Sequence, residues 1–116
     1  MPSPVVRVNP VTLTCDPDSI VITQANGQGV AIMFQIDPQA GPDWRWSSTT
    51  TPIVVQAPNG IFSDGGFPGG NGKGPVRLTN RNLPADVGTY KYTATLIKDG
   101  DASPTVIDPS IINRLT

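Results

Sequence analysis

The chain has 116 residues, of which 37% are hydrophobic and only 15% are charged, and its net charge is −1. This length is typical of one domain with one core, so we expect a single domain over residues 1–116. The near-zero net charge, without any cluster of basic residues, removes the electrostatic basis for binding nucleic acid and gives no support to binding at a membrane surface.

The kinds of residue favour strands and turns over helices. The chain contains 12 glycines and 13 prolines, and all nine of its acidic residues are aspartate. Glycine and proline disrupt helices, and aspartate favours turns, whereas glutamate, a good helix former, is absent. We therefore predict an all-β chain of short strands joined by many turns.

The first strands are predicted at residues 5–8, 11–14 and 20–24, each bounded by proline, asparagine or aspartate. The next strand, at residues 30–36, has the clearest pattern, because large apolar side chains occupy every second position: Val30, Ile32, Phe34 and Ile36. Alternation with a period of two places these side chains on one face of a strand, which we predict to be buried.

Two tryptophans lie on the same face of a short strand predicted at residues 44–46, and another strand is predicted at residues 53–56. Trp44 and Trp46 have two interpretations. Either they belong to the core, or they stack against a sugar or contact a protein partner, as exposed aromatic side chains do.

Residues 58–75 are predicted to form a long loop, because they contain seven glycines and three prolines. Structureless segments of this length are uncommon within small domains and often have a function. Phe62 and Phe67 are the large aromatic side chains of this segment. We predict that they are exposed anchors for a partner; the alternative is that they fasten the loop to the core.

Strands follow at residues 76–80, 90–97, 105–107 and 111–112, with a hairpin turn predicted at Asp99-Gly100-Asp101. The chain therefore contains about seven to nine strands, with turn signals at the spacing typical of a sandwich. The predicted fold class is an antiparallel β-sandwich of the immunoglobulin-like kind, with one long loop rich in glycine and proline.

The segment Asp86-Val87-Gly88-Thr89-Tyr90-Lys91-Tyr92 resembles the entry to the second core strand of immunoglobulin-like domains. The resemblance implies a tyrosine corner, in which the Tyr90 hydroxyl hydrogen-bonds to backbone a few residues upstream while Asp86 and Gly88 shape the turn. The chain departs from antibody domains because it lacks the two core cysteines.

As a whole, the sequence is similar to small uncharacterised bacterial proteins thought to be immunoglobulin-like. The similarity rests on Asp16-Pro17-Asp18-Ser19, a central tryptophan, the segment 88–93 and the closing segment 108–113. It implies a fold without implying an activity.

The sequence contains few of the residue types on which enzyme catalysis usually depends. Histidine is absent, which removes Ser–His and Cys–His pairs, and Cys15 is the only cysteine. Its acidic neighbours Asp16 and Asp18 disfavour a reactive thiolate, so we expect a buried, inert thiol. We predict no catalytic residue, no cofactor and no metal site. The pairs Asp16/Asp18 and Asp99/Asp101 are interpreted as turn residues, with calcium ligation as the alternative.

These observations favour a non-enzymatic module that binds a protein or glycan partner through residues 58–75. The alternatives are a self-assembling structural protein, such as a virion decoration or filament subunit, and a carbohydrate-binding module. Neither a signal-peptide pattern nor an apolar run of about 18 residues is visible. We therefore expect a soluble cytoplasmic protein, with export by a dedicated machine or incorporation into a virion as alternatives.

Overall fold

The computed structural model describes residues 4–101 and 103–116. The strands in this part of the chain are β1 (Val5–Asn9), β2 (Thr14–Asp16), β3 (Ser19–Thr23), β4 (Val30–Ile36), β5 (Trp44–Trp46), β6 (Ile53–Val55), β7 (Phe62–Asp64), β8 (Val76–Asn80), β9 (Gly88–Lys98), β10 (Thr105–Ile107) and β11 (Ser110–Arg114). Single turns of 3-10 helix lie at Gln24–Asn26, Pro38–Ala40 and Pro84–Asp86.

The strands form two packed sheets. Sheet 1 has the order β2-β1-β4-β8-β7, and sheet 2 contains β3, β11, β10, β9, β5 and β6. The long strand β9 is the centre of sheet 2. Its Leu96 pairs with both Thr105 and Trp46, so β10 and β11 lie along one edge of β9 while β5 and β6 lie along the other. The predicted all-β sandwich is therefore confirmed.

Two features of the sheets differ from the prediction. The described residues contain eleven strands instead of about seven to nine, and each sheet includes one parallel pair. β1 runs parallel to β4, and β3 runs parallel to β11. Two strands that pair in parallel need a long connection between them. Such pairing therefore joins residues far apart in the chain, and the local sequence pattern does not indicate it. The segments joining β1 to β4 and β3 to β11 include other strands and supply that length.

The core forms where the alternating residues of both sheets meet. Val30, Ile32 and Phe34 of β4 are buried, as predicted, whereas Ile36 is only partly buried. Tyr92, Ala94 and Leu96 of β9 are also buried. The rings of Phe34 and Tyr92 meet edge to face across the sandwich, with their centroids 5.2 Å apart. Edge-to-face aromatic pairs add to the stabilisation from burial alone, so this contact couples the central strands of the two sheets.

Two predicted segments are placed differently by the structure. The strand predicted at residues 11–14 is mostly a turn, and β2 begins at its last residue. The Asn9 side chain shapes this turn, because its Oδ1 accepts hydrogen bonds from the backbone N–H groups of Val11 and Thr12. The prediction of a loop over residues 58–75 was wrong at Phe62–Asp64, because these residues form β7, which pairs with β8.

A buried pair of asparagines joins the two sheets. Asn80 of β8 and Asn113 of β11 are 0% and 1% exposed. Asn80 Nδ2 donates to Asn113 Oδ1 at 2.7 Å, and Asn113 Nδ2 donates back to Asn80 Oδ1 at 3.2 Å. Asn113 Nδ2 also reaches the backbone oxygen of Asp86 at 3.2 Å. Because each amide satisfies the other, the pair is tolerated within the core.

Replacing Asn113 with alanine is expected to lower the free energy of unfolding by about 2 kcal/mol, because the Asn80 amide is left buried without its partner. Urea denaturation of Asn80→Ala, Asn113→Ala and the double variant measures the coupling. We expect the double variant to lose clearly less than the sum of the single losses. Additive losses would contradict a direct interaction between the two amides.

Candidate functional site

The segment predicted to contact a partner, residues 58–75, lies across one side of the sandwich, and we call it the 58–75 surface. Its first half is held to sheet 1 by backbone hydrogen bonds beside β7. The Arg81 N–H donates to the Ile61 oxygen at 2.7 Å, and the Gly65 N–H donates to the Arg77 oxygen at 2.8 Å. This half of the surface is therefore an edge of sheet 1.

Gly65 connects the two sheets. Besides its bond to sheet 1, its oxygen accepts the Ile53 N–H of β6, in sheet 2, at 3.1 Å. A Cβ at this position would lie 2.5 Å from the Ile53 oxygen, and the φ angle of +86° favours glycine. The close approach of two backbones is therefore the reason for glycine here.

The second half, residues 66–75, forms a strap over β5. The Trp46 N–H donates to the Gly72 oxygen at 2.8 Å, and the Trp46 indole Nε1–H donates to the Gly74 oxygen at 3.0 Å. The Lys73 ammonium adds a hydrogen bond to the Pro42 oxygen. These bonds satisfy the outward N–H of β5 and fix the strap, although its glycine content alone indicates a mobile loop.

Phe67 is the exposed aromatic side chain of this strap. Its side chain is 39% exposed, and its ring lies against the backbone of Gly72. A Cβ on Gly72 would come within 2.8 Å of the Phe67 ring and 3.4 Å of the Arg45 Cβ. The absence of a side chain at Gly72 therefore leaves room for the Phe67 ring to lie against the backbone.

An open cleft of about 550 Å³ lies beside Phe67. Its lining combines apolar and charged groups: Thr51, Asp64, Gly66, Phe67, Pro68, Pro75 and Arg77. The Asp64 carboxylate accepts a hydrogen bond from the Thr79 hydroxyl at 2.7 Å. The cleft therefore presents an aromatic ring, two prolines and one charge of each sign to solvent.

Phe62 is not an exposed anchor of the kind predicted. Its side chain is half-buried and packs against the core, and its ring meets Tyr90 edge to face at 5.3 Å between centroids. The reason is its position in β7, which directs the ring towards the space between the sheets. Phe62 follows the alternative interpretation and fastens the segment to the core, whereas Phe67 extends to solvent.

The two tryptophans have different environments. Trp46 is 0% exposed, so its predicted role in contacting a partner is wrong for this structure and its place is in the core. Trp44 is half-buried at the edge of the core. Both face the same side of β5, as predicted, but the strap covers Trp46, which the sequence alone did not indicate.

Tyr90 makes the hydrogen bond that the resemblance to immunoglobulin-like domains implies. Its hydroxyl donates to the Asp86 backbone oxygen at 2.9 Å. The Asp86 carboxylate accepts from Arg81 Nε at 2.9 Å, from Arg81 Nη2 at 2.6 Å, and from the Leu83 N–H at 2.9 Å. The hydrogen bonds from Arg81 lower the pKa of Asp86 despite its burial, and the bond from Leu83 acts in the same direction.

Gly88 and Arg81 complete this corner. A Cβ on Gly88 would lie 3.3 Å from the Tyr90 hydroxyl, so glycine leaves room for the ring to fold back. The sequence alone did not identify Arg81, which forms a bidentate pair with Asp86 five positions later, with a proline among the four residues between them. The spacing Arg-x4-Asp, with a turn between the two charges, is the signal that could have identified it.

Cys15 is buried, as expected for a structural thiol. Burial, with a smaller contribution from the negative charge of Asp18, raises the pKa of its thiol to about 11. Only a small fraction of this thiol is ionised near neutral pH, and the thiolate is the reactive form. Nucleophilic chemistry at Cys15 therefore has no support from its surroundings.

The aspartate pairs lie in separate parts of the fold. Asp16 faces Arg7 across β1 and β2, whereas Asp99 forms an ion pair with Arg45 at 3.6 Å. Asp101 accepts a hydrogen bond from the Ser103 N–H, as a turn residue does. Among the residues that the structure describes, no three His, Cys, Asp or Glu side chains lie close enough together to hold a metal ion.

Residues 4–101 and 103–116 include no helix that is long and apolar enough to cross a membrane. In comparisons with known proteins, no family model matches the chain. The search of curated proteins likewise found no match.

Proposed function

We propose that this protein is a non-enzymatic module that binds a macromolecular partner through the 58–75 surface, with Phe67 as the anchor. The observation that carries the proposal is the position of Phe67, which is 39% exposed although its ring rests on the protein. An aromatic ring held in place loses little conformational freedom on binding, so more of its burial contributes to affinity.

The surroundings of Phe67 support the same proposal. The cleft of about 550 Å³ beside the ring has the mixed lining of many contact surfaces, with Pro68 and Pro75 next to Asp64 and Arg77. Because Trp46 holds the strap through two hydrogen bonds, this surface is largely formed before a partner arrives. A glycan partner would need an exposed stacking surface, and Phe67 offers more of one than the buried Trp46.

We further propose that the fold of this protein is immunoglobulin-like. In disulfide-bearing immunoglobulin domains, the corner tyrosine lies two residues before a core cysteine. Here Tyr92 lies two residues after Tyr90 and packs against Phe34 from the other sheet. We infer that this aromatic pair takes the place of a disulfide and lets the fold form in a reducing compartment.

Affinity capture from a lysate of the source cell tests the contact. Wild type, Phe67→Ser and the control Val11→Ser are immobilised, and the retained proteins are measured by quantitative mass spectrometry. Val11 is a good control because it is 61% exposed and lies in the turn between β1 and β2. We expect a partner retained by wild type and Val11→Ser, and reduced about tenfold or more by Phe67→Ser, the loss typical of a binding hot spot.

Phe62 is omitted from this test because it packs against the core and its replacement would also change stability. Equal retention of the partner by all three proteins would contradict the assignment of the contact to Phe67. If wild type retains only further copies of itself, the binding-module proposal fails and a self-assembling protein becomes the better account.

A further inference from the structure

The outward-facing side of sheet 2 has an unusual composition. The side chains there come from alternate positions of β9, from Thr89 to Ile97, and from their neighbours in β3, β5, β6, β10 and β11, with the charged residues Arg45 and Arg114 near the strand ends. Most are the β-branched residues valine, threonine and isoleucine. Three of the valines are substantially exposed: Val21 at 41%, Val54 at 47% and Val106 at 51%. We call this surface the Val–Thr face.

The outward side of sheet 1 is different. It carries the exposed polar residues Arg7, Asp16, Gln35 and Arg77 around the smaller apolar contribution of Val5 and Met33. A solvated sheet face normally has this polar composition, with apolar residues directed to the core. The Val–Thr face therefore exposes more valine than the outer side of sheet 1, and exposed apolar side chains on a sheet face often mark a contact with another protein.

Two charges of opposite sign lie near the middle of the Val–Thr face. Lys91 pairs with Ser110, and the register of β9 with β10 and β11 places Asp108 beside Thr93. By strand geometry the two residues are about 8 Å apart between Cα atoms. Both are exposed, and neither belongs to the two ion pairs found within the described residues, Arg45–Asp99 and Arg81–Asp86.

This charge pair is complementary to itself. When a twofold axis lies in the interface and passes between Lys91 and Asp108, each Lys91 faces the Asp108 of the other copy. Twofold interfaces repeat every contact, so two such ion pairs form at once. The exposed valines then pack around them. A second copy of this chain is thus an occupant that matches both the charges and the apolar composition of the face.

The area of the Val–Thr face limits how stable a dimer formed through it can be. Residues 89–97 of β9 extend over about 26 Å, and four strand positions span about 19 Å. The face therefore has a projected area of at most about 500 Å², or about 1,000 Å² for two copies, which is in the range of weak, concentration-dependent complexes. A permanent dimer would need a larger area.

We propose that the Val–Thr face is a self-association surface, through which two copies of this chain form a weak twofold dimer joined by reciprocal Lys91–Asp108 ion pairs. The face adjoins the 58–75 surface at Val54, but Lys91 and Asp108 lie outside that surface, and the dimer stands or fails independently of the function proposed above. The dimer presents two copies of the Phe67 anchor, so it would increase the avidity of the module for a repetitive partner.

Sedimentation equilibrium of the purified chain tests the proposal. We expect the mean mass of wild type to rise towards that of a dimer between about 10 µM and 1 mM, the range of weak association. Lys91→Asp and Asp108→Lys each place like charges opposite one another in both repeats, so each dissociation constant should rise at least tenfold. Mixing these two variants restores opposite charges at both contacts and should restore association between them.

Val106→Lys provides a second variant that does not depend on the ion pairs, and it should also weaken association at least tenfold by placing a charge on the apolar part of the face. Circular dichroism shows that each variant is folded. A wild type that remains monomeric at 1 mM would overturn the proposal. So would a dimer that tolerates Val106→Lys, or a mixture of the two charge variants that associates no better than either variant alone.

Discussion

Replacing Trp46 with alanine is expected to lower the free energy of unfolding by about 4 kcal/mol, the loss typical of removing a large buried aromatic side chain. Trp46 is 0% exposed and belongs to the core cluster. The change also removes the indole N–H that bonds to the Gly74 oxygen, so the strap over β5 loses one of its two hydrogen bonds to Trp46. Urea denaturation followed by far-ultraviolet circular dichroism measures the loss without depending on tryptophan fluorescence.

Two variants separate the contributions of packing and hydrogen bonding at this position. Trp46→Phe keeps an aromatic ring but leaves the Gly74 oxygen without its donor, and we expect a loss of about 2 kcal/mol. Trp44→Ala removes the half-buried tryptophan of the same strand and should cost about 1–2 kcal/mol. A loss for Trp46→Ala no larger than that for Trp44→Ala would contradict the central position of Trp46 in the core.

Gly65→Ala is expected to be the most destabilising of the glycine replacements in the 58–75 surface. The new Cβ would lie 2.5 Å from the Ile53 oxygen, which belongs to backbone and cannot turn away as a side chain does. The positive φ adds a conformational cost for alanine. Together these effects should lower the free energy of unfolding by about 3 kcal/mol and the melting temperature by about 10–15 °C.

The neighbouring glycine provides a matched control for thermal denaturation. A Cβ on Gly66 meets nothing within 4 Å, so Gly66→Ala should change the free energy of unfolding by no more than about 0.5 kcal/mol. Gly72→Ala tests a different effect, since its Cβ meets the Phe67 side chain, which can rotate. We expect a modest loss of stability there and a displaced anchor ring. Similar melting temperatures for Gly65→Ala and Gly66→Ala would show that Gly65 is not a point where the sheets join.

The position of β7 shows why strands cannot always be predicted from the local sequence pattern. Seven glycines and three prolines between residues 58 and 75 predict a loop. Nevertheless β7 forms at Phe62–Asp64, because β8 lies beside it and supplies the pairing groups. The same limit applies to Phe62 and Phe67. Both are phenylalanines in a glycine-rich segment, and only the pairing of β7 decides that one ring turns towards the core while the other remains exposed.

The assignment of the sheet faces shows the same distinction. Where apolar residues alternate, as in β4, the sequence predicted the buried face correctly. In β3 and β6 the residues Ile20-Val21-Ile22 and Ile53-Val54-Val55 are apolar on both sides, so their periodicity defines no inward face. The neighbouring strands decide it, and they leave Val21 and Val54 on the outside of sheet 2.

By itself, the sequence determined the all-β class, the strongly alternating strands and the turn that leads to Tyr90, because each depends on residues close together in the chain. It also determined that histidine chemistry is absent and that Cys15 has acidic neighbours. Only the tertiary structure decided the parallel pairs, the burial of Trp46 beneath the strap, the amide pair between Asn80 and Asn113, and the exposure of the Val–Thr face. These depend on which distant segments become neighbours, and that is set by the packing of the whole chain around one core.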